Sequence, residues 1–186
     1  MLTLQAVAGR HVRVMFQDEA RFGRLARPRR CWAPAPLRQV MGNGYEQKFV
    51  YVDGAVSPVE GELDGRLSSE MNTACMAQFL AQVSQAYRAE CIVMVLDGAS
   101  SHKAKDRAIP ENILLLALPP QAPQLYTQEQ VGEAVREKEF PNRVFNRLDA
   151  VIRQLEHGLL HLAAHHQARR CLTAWPWIVS LNLNAH

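Results

Sequence analysis

Along residues 12–18, Val12, Val14, Phe16 and Asp18 fall on one side of an alternating pattern. This period of two is that of a strand half-buried against a core. The pattern ends the strand on the acidic pair Asp18-Glu19, so the first carboxylate is expected at its C-terminal tip, ahead of turns marked by Gly23 and Pro28. Cys91-Ile92-Val93-Met94-Val95-Leu96 is apolar throughout and also stops at an acid, Asp97, followed by Gly98. Lys48 to Val52, continuing toward Val56 and turning at Ser57-Pro58, joins Glu62 to Leu67 and the first strand in a meander. Ile113 to Leu118 is expected to be a third buried strand, stopped by Pro119-Pro120.

Other stretches follow the helical period. Cys75, Phe79, Val83 and Tyr87, with Met76 and Leu80 beside them, form one apolar face behind Asn72, a residue suited to capping a helix N-terminus. Ser100-Ser101-His102-Lys103 opens a short helical link that Pro110 stops, with the two serines as caps. Gln128 to Lys138 reads as a helix despite Gly132, and Leu148, Val151, Ile152, Leu155, Leu159 and Leu162 mark the last long one. Trp175-Pro176-Trp177-Ile178 is expected to pack back on the core, and Trp32 to be buried in it. A meander of strands, then alternating helix and strand, then helices predicts an α/β domain with a mixed central sheet and flanking helices.

At 186 residues and 48% hydrophobic, the chain has the material for one core, and residues 1–186 are expected to form a single domain. No apolar run approaches the roughly 20 residues that cross a bilayer, and the first residues lack a secretory signal. The four cysteines are scattered without a Cys-x-x-Cys pair. A soluble cytoplasmic protein with reduced thiols and no membrane partner is therefore expected. The net charge of +3 is small, but Arg21, Arg24, Arg27, Arg29 and Arg30 crowd one stretch, a density that attracts phosphate when it is not merely a solvated face.

The candidate chemistry lies in acids that follow apolar elements. If the first strand and the strand of residues 91–96 are neighbours, Asp18 and Asp97 meet at one rim, and Glu129 joins them from the first turn of the helix after the proline-rich loop. Three carboxylates so placed repel one another unless a divalent cation such as Mg2+ or Mn2+ lies between them. Each acid alone has an ordinary structural explanation, Glu129 as a partner of the helix dipole. His157, His161 and His165 line one helix face at a spacing able to hold Zn2+, but no cysteine or acid nearby completes a site, and a polar face is the expected reading.

The segment Phe16-Gln17-Asp18-Glu19-Ala20-Arg21-Phe22-Gly23, with Arg29-Arg30-Cys31-Trp32 downstream, resembles the start of the catalytic domain of bacterial insertion-sequence transposases of the mariner-like superfamily. Val95-Leu96-Asp97-Gly98-Ala99, with His102 and Lys103 behind it, resembles their second acidic motif. Pro119-Pro120-Gln121-Ala122-Pro123-Gln124-Leu125-Tyr126-Thr127-Gln128-Glu129 resembles their third, Pro-Pro-Tyr-Ser-Pro-Glu-Leu-Asn-Pro-x-Glu. The departures lie here: Tyr126 and Thr127 stand for Asn-Pro, Gln130 for a usual His and Gly132 for a usual Trp, which keeps Glu133 as a second candidate for the third acid.

The resemblance implies a ribonuclease-H-like fold, as in retroviral integrases, and an Asp-Asp-Glu triad of Asp18, Asp97 and Glu129 holding two Mg2+ or Mn2+ ions. It implies cleavage and transfer of DNA strands, with transposon ends and target DNA as partners and a homodimer as the active form. Arg24, Arg27, Arg29, Arg30, His102 and Lys103 are then the candidate DNA contacts. Relatives begin with helix-turn-helix segments that read the transposon ends. Here the catalytic pattern starts near Met1, so weakly sequence-specific DNA binding is expected. Two alternatives stay open: a decayed copy that only binds DNA or dimerises, and a nuclease of the same fold that cuts without joining.

Overall fold

A computed structural model describes residues 9–24, 30, 32–37, 40, 48–96, 109–118 and 127–180, with the side chains of 127–129 outside that set. Three strands open it: β1 (Val12–Gly23), β2 (Phe49–Ser57) and β3 (Glu62–Ser68). They form the expected antiparallel meander, with Asp18 opposite Gly54 and Gly54 opposite Gly65. Helix α1 (Thr73–Ala86) crosses to β4 (Cys91–Leu96), which pairs parallel with β1, and β5 (Ile113–Ala117) pairs parallel with β4. The strand order is β3-β2-β1-β4-β5. This is the mixed sheet of the ribonuclease-H-like fold, as expected.

Four helices follow: α2 (Thr127–Glu139), α3 (Leu148–Ala164), α4 (His166–Thr173) and α5 (Pro176–Val179). The sheet separates two cores because successive strand residues point to opposite faces. Met15, Ala55, Ile92, Met94 and Ile113 meet Met76, Phe79, Leu80 and Val83 of α1. Phe16, Phe22, Val52, Val56 and Val95 meet Val131 and Val135 of α2, Val151 and Leu155 of α3, and Ile178 of α5.

Local chemistry sets the helix positions. The Asn72 side chain accepts from the Cys75 amide at 2.9 Å and so caps α1 as expected. Gly158 of α3 lies where a Cβ would come within 2.5 Å of Glu139 Cγ, so α2 and α3 approach closely there. In α4, Arg169 is 4% exposed, and its guanidinium donates to the carbonyls of Gly61, Leu162 and Ala163. His166 Nε2 bonds the Glu60 carbonyl at 2.5 Å, so α4 clamps the β2–β3 turn, where Gly61 takes a positive φ of 70°. Trp175 packs on the core and Trp177 meets Phe16 edge to face at 6.4 Å, which returns the tail to the core.

Three expectations are corrected. Asp18 is not at a strand tip: β1 continues to Gly23 because Ala20 to Gly23 pair with Phe49 to Val52. The run 113–118 is apolar, but only Ile113 in it is buried. It forms an edge strand, with Leu114 and Leu116 40% and 50% exposed, because α2 to α5 gather over the other half of that face. Trp32 is fully exposed rather than in the core. The expected link around Ser100 and Ser101 lies outside the described residues.

Candidate active site

Asp18 shares its sheet face with Phe16 and Ala20, half-buried among apolar side chains. Its Oδ1 accepts from the backbone amide of Glu19 at 2.8 Å, which fixes one carboxylate oxygen. The parallel pairing of β1 with β4 runs from Val12↔Cys91 to Phe16↔Val95, so Asp18 stands two residues past the last pair. Asp97 follows the last residue of β4 and lies outside the described residues.

Helix α2 lies along β1. A Cβ at Gly132 would stand 3.8 Å from that of Ala20, and the Arg136 guanidinium lies over the Phe22 ring, 5.0 Å from its centroid. Phe140, just past the helix, meets Phe22 at 5.1 Å. The helix therefore advances in the same direction as the strand. Glu129 belongs to its first turn, with a side chain outside the described residues. Glu133 is half-exposed and forms an ion pair with Arg136 at 3.6 Å.

Between these elements lies a small cleft lined by Asp18, Gly54, Gly65, Val131, Gly132 and Leu159. The two strand glycines are site residues that the sequence reading passed over. A glycine inside the apolar run of β2 is the available signal, since it marks close approach or missing bulk in a strand.

A second set of charges occupies the opposite face. Asp53 is 4% exposed, and burial lifts its carboxyl to about 6, against the opposing pull of Arg66. Burial also raises Asp64, although the Tyr87 hydroxyl donates to it at 2.7 Å. Arg13 donates to Glu90 at 2.7 Å and lies over the Tyr87 ring at 4.3 Å, and this bond holds the Glu90 carboxyl below its usual range.

Among the candidate DNA contacts, Arg24 performs structural work: its Nε donates to the Phe145 carbonyl at 3.0 Å and its own carbonyl accepts from the Phe145 amide. Arg30 is exposed, while Arg27, Arg29, His102 and Lys103 lie outside the described residues. His157 and His161 stack at 6.3 Å, His157 pairs with Glu139 at 3.4 Å, and His165 bonds the His161 carbonyl. Among the described residues no three His, Cys, Asp or Glu side chains gather as metal ligands, and no helix is long and apolar enough to cross a membrane.

The fold is similar to that of the transposase in a solved pre-cleavage Mos1 transpososome, with a TM-score of 0.64 over 94% of this chain and 57% of that one, at 14% identity. A mariner Mos1 paired-end complex with Mg gives a TM-score of 0.58 over 86% of this chain and 55% of that one, at 13% identity. This chain thus spans little more than half the length of the Mos1 chains, and the likeness concerns the fold. An uncharacterised protein of Sinorhizobium fredii, y4pE/y4sA, is 30% identical over 105 residues, 56% of this chain and 78% of that protein. Residues 13–152 match the model of the DDE superfamily endonucleases, and the chain belongs to that family.

Proposed function

We propose that this chain is the catalytic domain of a DNA transposase that cuts and joins DNA strands at the ends of an insertion sequence, with Asp18, Asp97 and Glu129 as its acidic triad. The observation that carries this reading is the path of α2 along β1. Gly132 stands beside Ala20 and Arg136 beside Phe22, a helical step of four residues against a strand step of two. At about 1.5 Å per helical residue and about 3.3 Å per strand residue, these steps nearly match. Stepping back once more along both elements leads from Ala20 to Asp18 and from Gly132 to Gln128, the residue before Glu129. The register of β1 and β4 supports the other pair, because Phe16 is opposite Val95 and each acid follows its partner by two residues.

Three carboxylates are hard oxygen donors of the kind that Mg2+ or Mn2+ takes, and Asp18, with one oxygen fixed by the Glu19 amide, opens onto a cleft. Asp18 and Asp97 would hold a shared ion and Glu129 a second. Bound ions would supply activation of a water or of a DNA 3′-hydroxyl and charge relief at the leaving oxygen. The protein's share is to hold the acids on a rigid strand pair and helix, and to keep the surrounding wall apolar. Solved Mos1 structures include a strand transfer complex and paired-end complexes with Mn and Mg, which supports the same class of chemistry here. DNA as substrate, a homodimer as the active assembly, a cytoplasmic setting and residues 1–186 as one domain belong to the same proposal.

The test uses the full chain with Mn2+, a supercoiled plasmid and a duplex bearing a pre-cut 3′-hydroxyl. Wild type is expected to nick and to join, Glu129→Gln to do neither, and Glu133→Gln to retain both, since Glu133 already pairs with Arg136. Nicking without joining would favour a nuclease that only cuts. Absence of both, with no Mn2+-induced rise in melting temperature, would favour a decayed remnant that only binds DNA or dimerises.

A further inference from the structure

The row of residues crossing the sheet from Asp18 has no side chains on the next two strands, because Asp18 is opposite Gly54 and Gly54 opposite Gly65. The rows on either side keep theirs. Phe16, Val56 and Leu63 form one bank and Ala20, Val52 and Leu67 the other, all packed in or against the same core. What remains is a slot between mostly apolar banks, with Asp64 beside Gly65 in its lining, roofed by Val131 and Gly132 of α2 and Leu159 of α3. Its outer end, Gly65, is exposed, Gly54 in the middle is buried and Asp18 at the other end is partly exposed, so the slot joins the sheet edge to the acid through a covered middle. A Cβ at Gly65 would meet no atom within 4 Å. With strands about 4.8 Å apart, the slot is roughly 10 Å long and about one side chain wide, which passes water but not a nucleotide.

We infer that this glycine slot is the path by which the attacking water reaches the acidic site, so that Gly54 and Gly65 set the balance between hydrolysis and joining. The inference rests on the cleavage reading above. In hydrolysis the water oxygen bonds to phosphorus and the bond from phosphorus to the 3′ oxygen breaks. The electron pair leaves on that oxygen, which takes one of the water protons, giving a 3′-hydroxyl and a 5′-phosphate. In joining, the 3′-hydroxyl oxygen of one strand attacks instead, and its proton passes to the 3′ oxygen that leaves the target. That nucleophile arrives as the end of a DNA strand, too large for the slot. With DNA seated over the open side of Asp18, the slot is the way left for water, so blocking it slows hydrolysis while joining keeps its nucleophile.

Gly65→Leu fills the outer end, and Gly65→Ala narrows it. The full chain with Mn2+ is assayed for nicking of a supercoiled plasmid and for joining of a pre-cut 3′-hydroxyl duplex, alongside melting temperature with and without Mn2+. Gly65→Leu is expected to lower the ratio of nicking to joining roughly tenfold, with Gly65→Ala between it and wild type and the Mn2+-induced melting shift retained. An unchanged ratio in both variants, whether the two rates fall together or hold, overturns the inference and leaves the cleavage reading standing. If Gly65→Leu does not fold, Gly65→Ala carries the same ratio test. Wild type that neither nicks nor joins defeats the cleavage reading itself, and the slot with it.

Discussion

The two faces of the central sheet are made by the same strands and treat charge in opposite ways. On the face toward α1, Arg13 is buried beside a half-buried Glu90, Asp64 is half-buried under the Tyr87 hydroxyl, and Asp53 is buried across the strands from Arg66. On the face toward α2 and α3, β1 presents Val14, Phe16, Ala20 and Phe22 to an apolar core, and Asp18 opens onto a cleft. Burial of a carboxylate is costly wherever it occurs, so each face needs a reason for its acids. Toward α1 that reason is the pairing of Arg13 with Glu90 and of Asp64 with the Tyr87 hydroxyl, while Asp53 keeps a buried oxygen without a hydrogen-bond partner and has its carboxyl raised by burial. Toward α2 it is the proposed chemistry, for which the fold supplies a rigid frame.

The same substitution made on each face separates these roles. Asp18→Asn is expected to lower Mn2+-dependent nicking on the order of a thousandfold while the metal-free melting curve stays close to that of wild type. Retained nicking in that variant would end the comparison. Asp53→Asn is expected to do the reverse, sparing nicking and raising stability. Its carboxyl is lifted by burial from 3.8 to about 6, so the folded state holds its proton more tightly than the unfolded chain. The stabilising contribution of that proton is complete below about 4 and is lost as pH rises through about 6. Denaturant melts of the two proteins should diverge across that window, with the variant more stable by on the order of 2 kcal/mol at neutral pH. A constant gap from pH 4 to 7 would show that Asp53 titrates normally. The smallest effect comes from Gly132→Ala, where the added Cβ makes ordinary contacts at 3.7 and 3.8 Å. Helix propensity should then stabilise the protein by about 1 kcal/mol, and a loss instead would mean that α2 lies closer to β1 than described.

Much of this was legible because strands and helices advertise their buried faces. The run 91–96 is a short unbroken apolar stretch and the leucines of α3 keep the helical period, and the structure places strand and helix there. What the periods could not reveal depends on distant partners. The first strand was expected to end at Asp18 because nothing local announces that Phe49 to Val52 will pair with Ala20 to Gly23. The run 113–118 read as buried because an apolar strand does not say whether a helix will cover it. Gly54 and Gly65 became meaningful only once the register set them in one row with Asp18. Asp53 sits inside an apolar run, and its burial came from the hairpin on both sides of it. Position after an apolar strand and at a helix start singled out Asp97 and Glu129, and the family resemblance gave them their triad role; their side chains lie outside the described residues, so their part in the site stands as a proposal that Asp18 and the path of α2 support.

The outer border of β5 carries its own consequence. Its five residues, Ile113 to Ala117, include no lysine, no proline and no charge, and among the described residues they pair only with β4. Natural borders of this kind are usually guarded against adhesion. Among the described residues nothing guards this one, so as the protein is concentrated molecules are expected to stitch together strand to strand, and Leu116→Lys should keep them apart.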